Sequence, residues 1–321
     1  MDRKHLPLLT TAIVLLVLFF AAAMNYRGFG SMRVVVNLIS DNSVLGITAI
    51  GMTFVILSGG IDLSVGSIVA FTTVFIATLI DHRHVHPLVA IPLILALATG
   101  FGWLQGALIQ RYDLPAFLVT LGGMFFARGM AFVVNMESVG IHHPFYTSLQ
   151  DVSISLGGRS SLGSTGLIFL AIFAVGFFVA HYTVFGRNIY ALGGNKESAR
   201  LMGLPVGQIC PSVYAVSGFC AALAGVVSTL YTGSGNPASG AGLELDAIAA
   251  VVIGGTLLTG GVGYVVGTIL GVLIFGVIQS ALVFDGRLNS WWLRIAVGAL
   301  LLAFILLQRM ITRTPTRAGA H

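Results

Sequence analysis

The sequence predicts an all-α fold: a polytopic transmembrane helical bundle of about ten spans, some of them broken, with both termini cytoplasmic. Three observations carry that expectation. Of the 321 residues, 56% are hydrophobic and 8% charged, against roughly 25% charged in ordinary soluble domains, so the chain cannot clothe a water-facing surface. Apolar runs of about 17 to 25 residues recur along it, the length that a helix needs to cross hydrocarbon. The 41 glycines suit helices that must approach closely in lipid, where no hydrophobic drive brings them together. The mean hydropathy of +0.97 agrees.

The spans are read at 8–24, 44–57, 65–80, 88–109, 116–134, 166–182, 211–231, 247–258, 265–284 and 291–308. The first, behind Arg3 and Lys4, imitates a secretory signal, with Ala21-Ala22-Ala23 placed like a cleavage site. Because everything after it is membrane-embedded, it is expected to be retained and to start insertion. With the N-terminus inside, the inner segments hold Arg3, Lys4, Arg111, Arg187, Lys196, Arg200, Arg309, Arg313 and Arg317, while the outer ones hold Arg27, Arg33, Arg83, Arg159 and Arg287. The positive-inside rule favours this orientation and puts the loop 135–165 outside. The second and eighth spans are short, and each adjoins a polar, glycine-rich segment. In transporters such breaks occur where irregular backbone lines a cavity.

The first break is Ser58-Gly59-Gly60-Ile61-Asp62-Leu63-Ser64-Val65-Gly66-Ser67. Asp62 and Ser64 can cap the helix that begins there, and Gly59-Gly60 permits a sharp reversal. A tight packed turn accounts for this pattern. A hinge or lining of a translocation path accounts for it too, and gives the carboxylate a purpose that membrane carboxylates rarely lack. Further along, His82, His84 and His86 alternate in an outer loop ending at Pro87, and His142-His143 follow later. Neither spacing sets a tetrahedral geometry, so no metal site is expected. Arg128 lies about two turns from the outer end of its span, from which a long side chain can snorkel to the interface.

The stretch 187–205 is a charged island between long apolar runs. Asn195 can cap a helix by accepting from a backbone N–H two or three residues on, Gly203 can end it in a left-handed conformation, and Pro205 forbids continuation. A helix of about two turns is not stable alone in water. Gly193, Gly194, Asn195, Ala199, Arg200 and Gly203 therefore read as a handle for a soluble protein partner. Cys210 and Cys220 share the next apolar run; about 15 Å of helical rise keeps them from bridging.

The second break is Gly240-Ala241-Gly242-Leu243-Glu244-Leu245-Asp246. Glu244 and Asp246 precede a helix whose macrodipole favours negative charge; capping explains them, and a gate or a docking contact for an external protein is the other reading. Gly260, Gly261 and Gly263 are not a phosphate loop, because the lysines are Lys4 and Lys196 alone and neither follows a glycine. ATP hydrolysis is thus not expected of this chain. Trp291-Trp292 with Arg294 looks like an interfacial anchor. Asp41, Asn42, Ser43, Thr48, Gln105 and Gln279 are donors and acceptors for a hydroxylated solute or for interhelical hydrogen bonds. No Ser-His-Asp or Cys-His set assembles by spacing, so no catalytic residue, no cofactor and no nucleic-acid partner is expected.

Three motifs stand in order: Gly51-Met52-Thr53-Phe54-Val55-Ile56-Leu57-Ser58-Gly59-Gly60-Ile61-Asp62-Leu63-Ser64-Val65-Gly66-Ser67; then Tyr190-Ala191-Leu192-Gly193-Gly194-Asn195 with Ala199-Arg200-Leu201-Met202-Gly203; then Leu245-Asp246-Ala247-Ile248-Ala249-Ala250-Val251-Val252-Ile253-Gly254-Gly255-Thr256. Over nearly the whole chain they resemble the permeases of ribose-type bacterial ABC sugar importers. Within that family, Pro115-Ala116-Phe117, Gly123-Met124-Phe125-Phe126, Glu137-Ser138, His143-Pro144, Phe284-Asp285-Gly286 and Ser290-Trp291-Trp292 look most like one permease of the galactofuranose importers.

The resemblance implies a single permease domain over 1–321 in the bacterial inner membrane. It implies a dimer with a second permease, non-identical in this subgroup, docked on a separate ABC ATPase subunit and fed by a periplasmic sugar-binding protein. The substrate it suggests is galactofuranose, with ribose or another pentose or hexose as the alternative. It carries the coupling role over to 193–203, where Lys196 stands at a position that the family often fills with an acidic or small residue. A rival expectation is a secondary transporter driven by a proton or sodium gradient. That would need a titrating group near the bilayer midplane, for which Asp62 is the candidate.

Overall fold

The computed structural model describes residues 6–155, 160–286 and 291–312, with side chains described for 8–155, 160–286 and 291–306. In chain order the helices are α1 (Leu6–Asn25), α2 (Met32–Asp41), α3 (Ser43–Leu57), α4 (Val65–Ala77, running on as a π turn, Thr78–His82), α5 (Pro87–Arg111), α6 (Ala116–Val134), α7 (Pro144–Gln150), α8 (Ser164–Tyr182), α9 (Val184–Gly194), α10 (Lys196–Leu201), α11 (Val206–Thr232), α12 (Leu243–Ile253), α13 (Val265–Asp285) and α14 (Trp291–Thr312). Four very short strands complete the described residues: β1 (Val139–Gly140), β2 (Ser153–Ser155), β3 (Ser161–Gly163) and β4 (Ser234–Gly235). β1 pairs antiparallel with β4, and β2 with β3.

Among the described residues seven helices are long and apolar enough to cross a membrane: Leu8–Asn25, Val65–His82, Pro87–Arg111, Ala116–Val134, Ser164–Tyr182, Val206–Thr232 and Val265–Asp285. An eighth arises if α2 and α3, bent by 56° at their junction, form one span. The second apolar run is thus the inner arm of a bent pair, because Asn42 interrupts the helix and folds its side-chain amide back onto the Leu38 carbonyl at 2.8 Å. The apolar stretch Trp291–Leu306 is shorter. α12 has 11 residues, about 16 Å of helix, roughly half the hydrocarbon thickness. It starts earlier and stops earlier than 247–258, because Gly254 and Gly255 end it. The loop 135–165 holds α7 and both short sheets' first strands. Arg3, Lys4, Arg159, Arg287, Ser290, Arg313 and Arg317 lie outside the described residues, as does the side chain of Arg309.

The core forms around α3, α11 and α12. Nearly all of α3 is buried, including Ile47, Met52, Phe54 and Leu57. α11 packs most extensively on α5 and then on α3 and α4. Its small residues allow this: Gly218 lies against the Ala98 carbonyl, and Gly106 of α5 against the backbone of Pro211. Such close backbone approach is how helices associate where burial from water contributes nothing.

Candidate functional site

The segment 193–203 folds as its sequence dictates. Asn195 is the N-cap of α10, its side-chain oxygen accepting from the Ser198 amide at 2.8 Å, and Gly203 takes a left-handed φ of 78° beyond the helix end. Ala199 is fully buried, whereas Leu201 and Met202 are 88% and 69% exposed. Two large apolar tips beside Arg200 on so short a helix make a surface suited to a partner. Lys196 binds the Asp113 carboxylate at 2.9 Å. Asp113, in the turn joining α5 to α6, has a left-handed φ of 49°. The Lys196 hydrogen bond, with its charge and that of Arg200, holds the Asp113 carboxyl below the usual carboxylate range.

α9 carries this segment onto the first break. A Cβ on Gly193 would run into the Leu57 carbonyl oxygen and crowd the Gly261 nitrogen, so only glycine allows the approach. The Leu57 carbonyl accepts the Gly261 amide at 2.9 Å. Gly260 lies on Gly59 and Gly193, and Gly261 on Gly194. Tyr190 of α9 donates its hydroxyl to the Gly263 carbonyl at 2.8 Å. Gly59, the pair 193–194 and the pair 260–261, far apart in sequence, thus meet at one junction of bare backbone.

The break itself is buried polar structure. Asp62 is fully buried; one carboxylate oxygen accepts from the Ser64 amide at 2.9 Å and its hydroxyl at 2.6 Å, the other from the Ser217 hydroxyl of α11 at 2.7 Å. Gln105 of α5 donates to the Ser64 hydroxyl at 3.1 Å. This corrects the capping expectation for Ser64, which occupies the N-cap position of α4 without a side-chain cap bond; its hydroxyl donates to Asp62 and accepts from Gln105 instead. Ser58 turns back on the Val55 carbonyl at 2.7 Å. Ser58, Gly59 and Gly60 line a cavity of about 190 Å³ with Lys196 and Tyr214.

The second break meets the first at both ends. Its exit loop lies on Leu57 and Gly59, as above, and its entry lies on α4, where Gly66 touches the Gly240 carbonyl and the Glu244 carboxylate. Glu244 and Asp246 sit inside the first turn of α12. One Glu244 carboxylate oxygen is buried without a hydrogen-bond partner, and the charges that act on Glu244 include Arg128. Arg128 does not reach out to an interface. It donates to the carbonyls of Pro237 and Ser239 at 2.9 and 2.7 Å, pinning the segment that enters α12. Arg294 acts on Asp246 and lies 5.1 Å from the Trp291 ring centre.

Other sequence candidates are spread out. His86 and His143 serve as helix caps, each Nδ1 accepting the amide two residues on, Leu88 and Phe145, at 3.2 Å. Thr48 bonds to the Val44 carbonyl at 2.9 Å. Asp41, Asn42 and Gln279 do come together, in a pocket between α2, α11 and α13. Sequence reasoning missed Asp113 and Ser217; a lone acid in a short interhelical turn and a serine in an apolar helix carry too little signal by themselves.

The family model described as "Branched-chain amino acid transport system / permease component" matches residues 34–305. The inner membrane ABC transporter permease protein YjfF of Escherichia coli (strain K12) is 49% identical over 97% of this chain and 94% of its own length. The ribose import permease protein RbsC of Haemophilus influenzae is 38% identical over 92% and 90%. The fructose import permease protein FruG of Bifidobacterium longum is 35% identical over 97% and 93%. No solved structure matches the chain.

Proposed function

The chain belongs to the family of permease components of branched-chain amino acid transport systems, and from that footing we propose that it is the membrane permease subunit of an ATP-driven importer that moves a monosaccharide from periplasm to cytoplasm. Relatives named as ribose and fructose import permeases support a sugar cargo. Galactofuranose is the specific sugar proposed, on the subgroup motifs set out above, with ribose or another pentose or hexose as alternative. The proposed topology has about ten spans, counting the bent pair, α12 and α14, with both termini cytoplasmic. The chain acts as one domain, without a cofactor of its own, beside a second and non-identical permease, a separate ATPase and a periplasmic sugar-binding protein.

The observation that carries the mechanism is the backbone contact of Gly193 with Leu57 and Gly261. The ATPase holds Arg200, Leu201 and Met202 of α10. When nucleotide draws the ATPase domains together, α10 moves, and α9 passes the displacement to the junction from which both broken spans depart. Asn195 and Gly203 keep α10 short and defined. Ser58, Gly59, Gly60, Asp62 and Ser64, with Glu244 and Asp246, form the moving wall of the path. Nucleotide can shift this equilibrium only because the ATPase binds the two permease states unequally.

The test is uptake and ATP hydrolysis by the complete importer in liposomes carrying Arg200→Glu or Gly194→Pro. The expected result is normal insertion and complex formation with uptake per ATP lowered by at least about tenfold, within the usual range of coupling energies. Unchanged uptake in both variants overturns the coupling role. Accumulation of sugar by this chain without any ATPase favours a gradient-driven transporter instead, with Asp62 as its titrating group.

A further inference from the structure

At the bend between α2 and α3 lies an open pocket of about 370 Å³, whose lining includes Asn37, Asp41, Asn42, Tyr231, Gln279 and Ser280. Its lining is strongly polar for so apolar a chain. A protein with 8% charged residues here gathers three carboxamides, one carboxylate and two hydroxyls around one volume. The apolar grooves elsewhere on the surface have no comparable lining: one between α4, α5 and α6 is walled by Ile68, Phe71, Leu97 and Phe126.

The backbone is built to hold these groups. Gly276 of α13 faces Asn42, and a Cβ there would run into the Asn42 amide nitrogen; glycine leaves room for the carboxamide. The Asn42 amide is fixed on the Leu38 carbonyl at 2.8 Å, and the Tyr231 hydroxyl donates to Asp41 at 3.2 Å. Asn37 and Gln279 are exposed, and no hydrogen bond of their side chains is formed within the described residues. Gln279 stands six residues before the end of the apolar α13. A carboxamide at such a position is costly against hydrocarbon and comes to terms only with water, a polar neighbour or a polar ligand.

Resting on the importer reading above, we propose that this pocket is a monosaccharide subsite contained within the single chain, used by the sugar on its way into the path. Neighbouring sugar hydroxyls both donate and accept, which is the capacity of carboxamides, and Asp41 adds a strong acceptor. The rings of Tyr231 and Phe284, also in the lining, offer apolar surface to the C–H face of a sugar. The volume lies at the low end of small-molecule sites, roughly 300–1,000 Å³. A metal ion fits poorly, since Asp41 is the one carboxylate among the described residues that line the pocket.

Saturation-transfer NMR on the full chain in nanodiscs, with D-galactose and D-ribose as probes, tests this directly and suits weak binding. Wild type is expected to give signals from at least one sugar, which fall at least about tenfold in an Asn37→Val, Gln279→Leu double variant whose unfolding temperature is unchanged. Tyr231→Phe, which removes one hydroxyl, is expected to weaken them less. Equal signals from wild type and double variant, or none from wild type with either sugar, overturn the subsite. Absence of ATP-dependent uptake by the wild-type importer overturns the importer reading while the binding result stands on its own.

Discussion

The Leu57 carbonyl oxygen, at the last residue of α3, accepts the backbone amide of Gly261 at 2.9 Å. Two residues separated by most of the chain's length are joined with no side chain between them, and Gly193 closes over the same oxygen. A junction of this kind transmits position well, because bare backbones in contact cannot yield by changing rotamers.

Gly193→Ala is expected to damage this junction where Gly194→Ala does not. Alanine at 193 overlaps the Leu57 carbonyl, whereas a Cβ at 194 meets nothing within 4 Å. Overpacking of this type costs about 1–3 kcal/mol. Thermal unfolding of the two variants in detergent checks the difference; equal stability would show that the junction opens readily.

Asp62→Ala leaves the Ser64 amide, the Ser64 hydroxyl and the Ser217 hydroxyl without their acceptor inside the bundle. Each orphaned buried group costs about 1–3 kcal/mol. A large fall in unfolding temperature is expected, with a smaller one for Asp62→Asn, which keeps one carbonyl oxygen. If Asn behaves like Ala, the negative charge itself is what the site requires.

Much of this was legible in sequence, and the failures have physical causes. Composition and run length located the long apolar helices, and the Asn195 cap with the Gly203 stop announced α10, because these signals are local. Asp62 bonds locally to the Ser64 amide and hydroxyl, yet the partner of its other oxygen, Ser217, comes from a helix made much later and leaves no mark on the local sequence. The same holds for Arg128, whose carbonyl partners at 237 and 239 leave no trace in its own span. Nor could spacing reveal that Gly59 and the glycines of 193–194 and 260–261 share one point in space.

Lys196→Met is expected to raise the Asp113 pKa toward its ordinary value of 3.8, since the lysine is the main cause of its depression. A depressed folded-state pKa means that the contribution of the pair is present above the ordinary carboxylate value and is lost as pH falls through the lowered one. The pair is exposed, so its effect on stability is small and screened by salt. Carboxyl NMR titration of Asp113 in both proteins reads the shift; identical curves would remove Lys196 as the cause.

Arg128→Leu is expected to free the segment that enters α12. Hydrogen bonds from charged donors contribute about 1.5–3 kcal/mol each, and two are lost. Hydrogen exchange across 236–242 should accelerate by at least about tenfold, with Arg128→Lys intermediate because an ammonium lacks the guanidinium's planar fork. Unchanged exchange would mean that β4 and its pairing with β1 hold the segment alone.

α12 also constrains how the molecule is made. With 11 residues it is too brief to settle in lipid by itself, and the non-helical chain on either side carries peptide groups that hydrocarbon will not tolerate. Its resting place is furnished on one side by α3 and α4, which leave the ribosome before it, and on the other by α13 and α14, which leave after it. Biogenesis therefore cannot finish with this segment alone: it must wait between a wall already synthesised and one still to come before its peptide groups are sheltered.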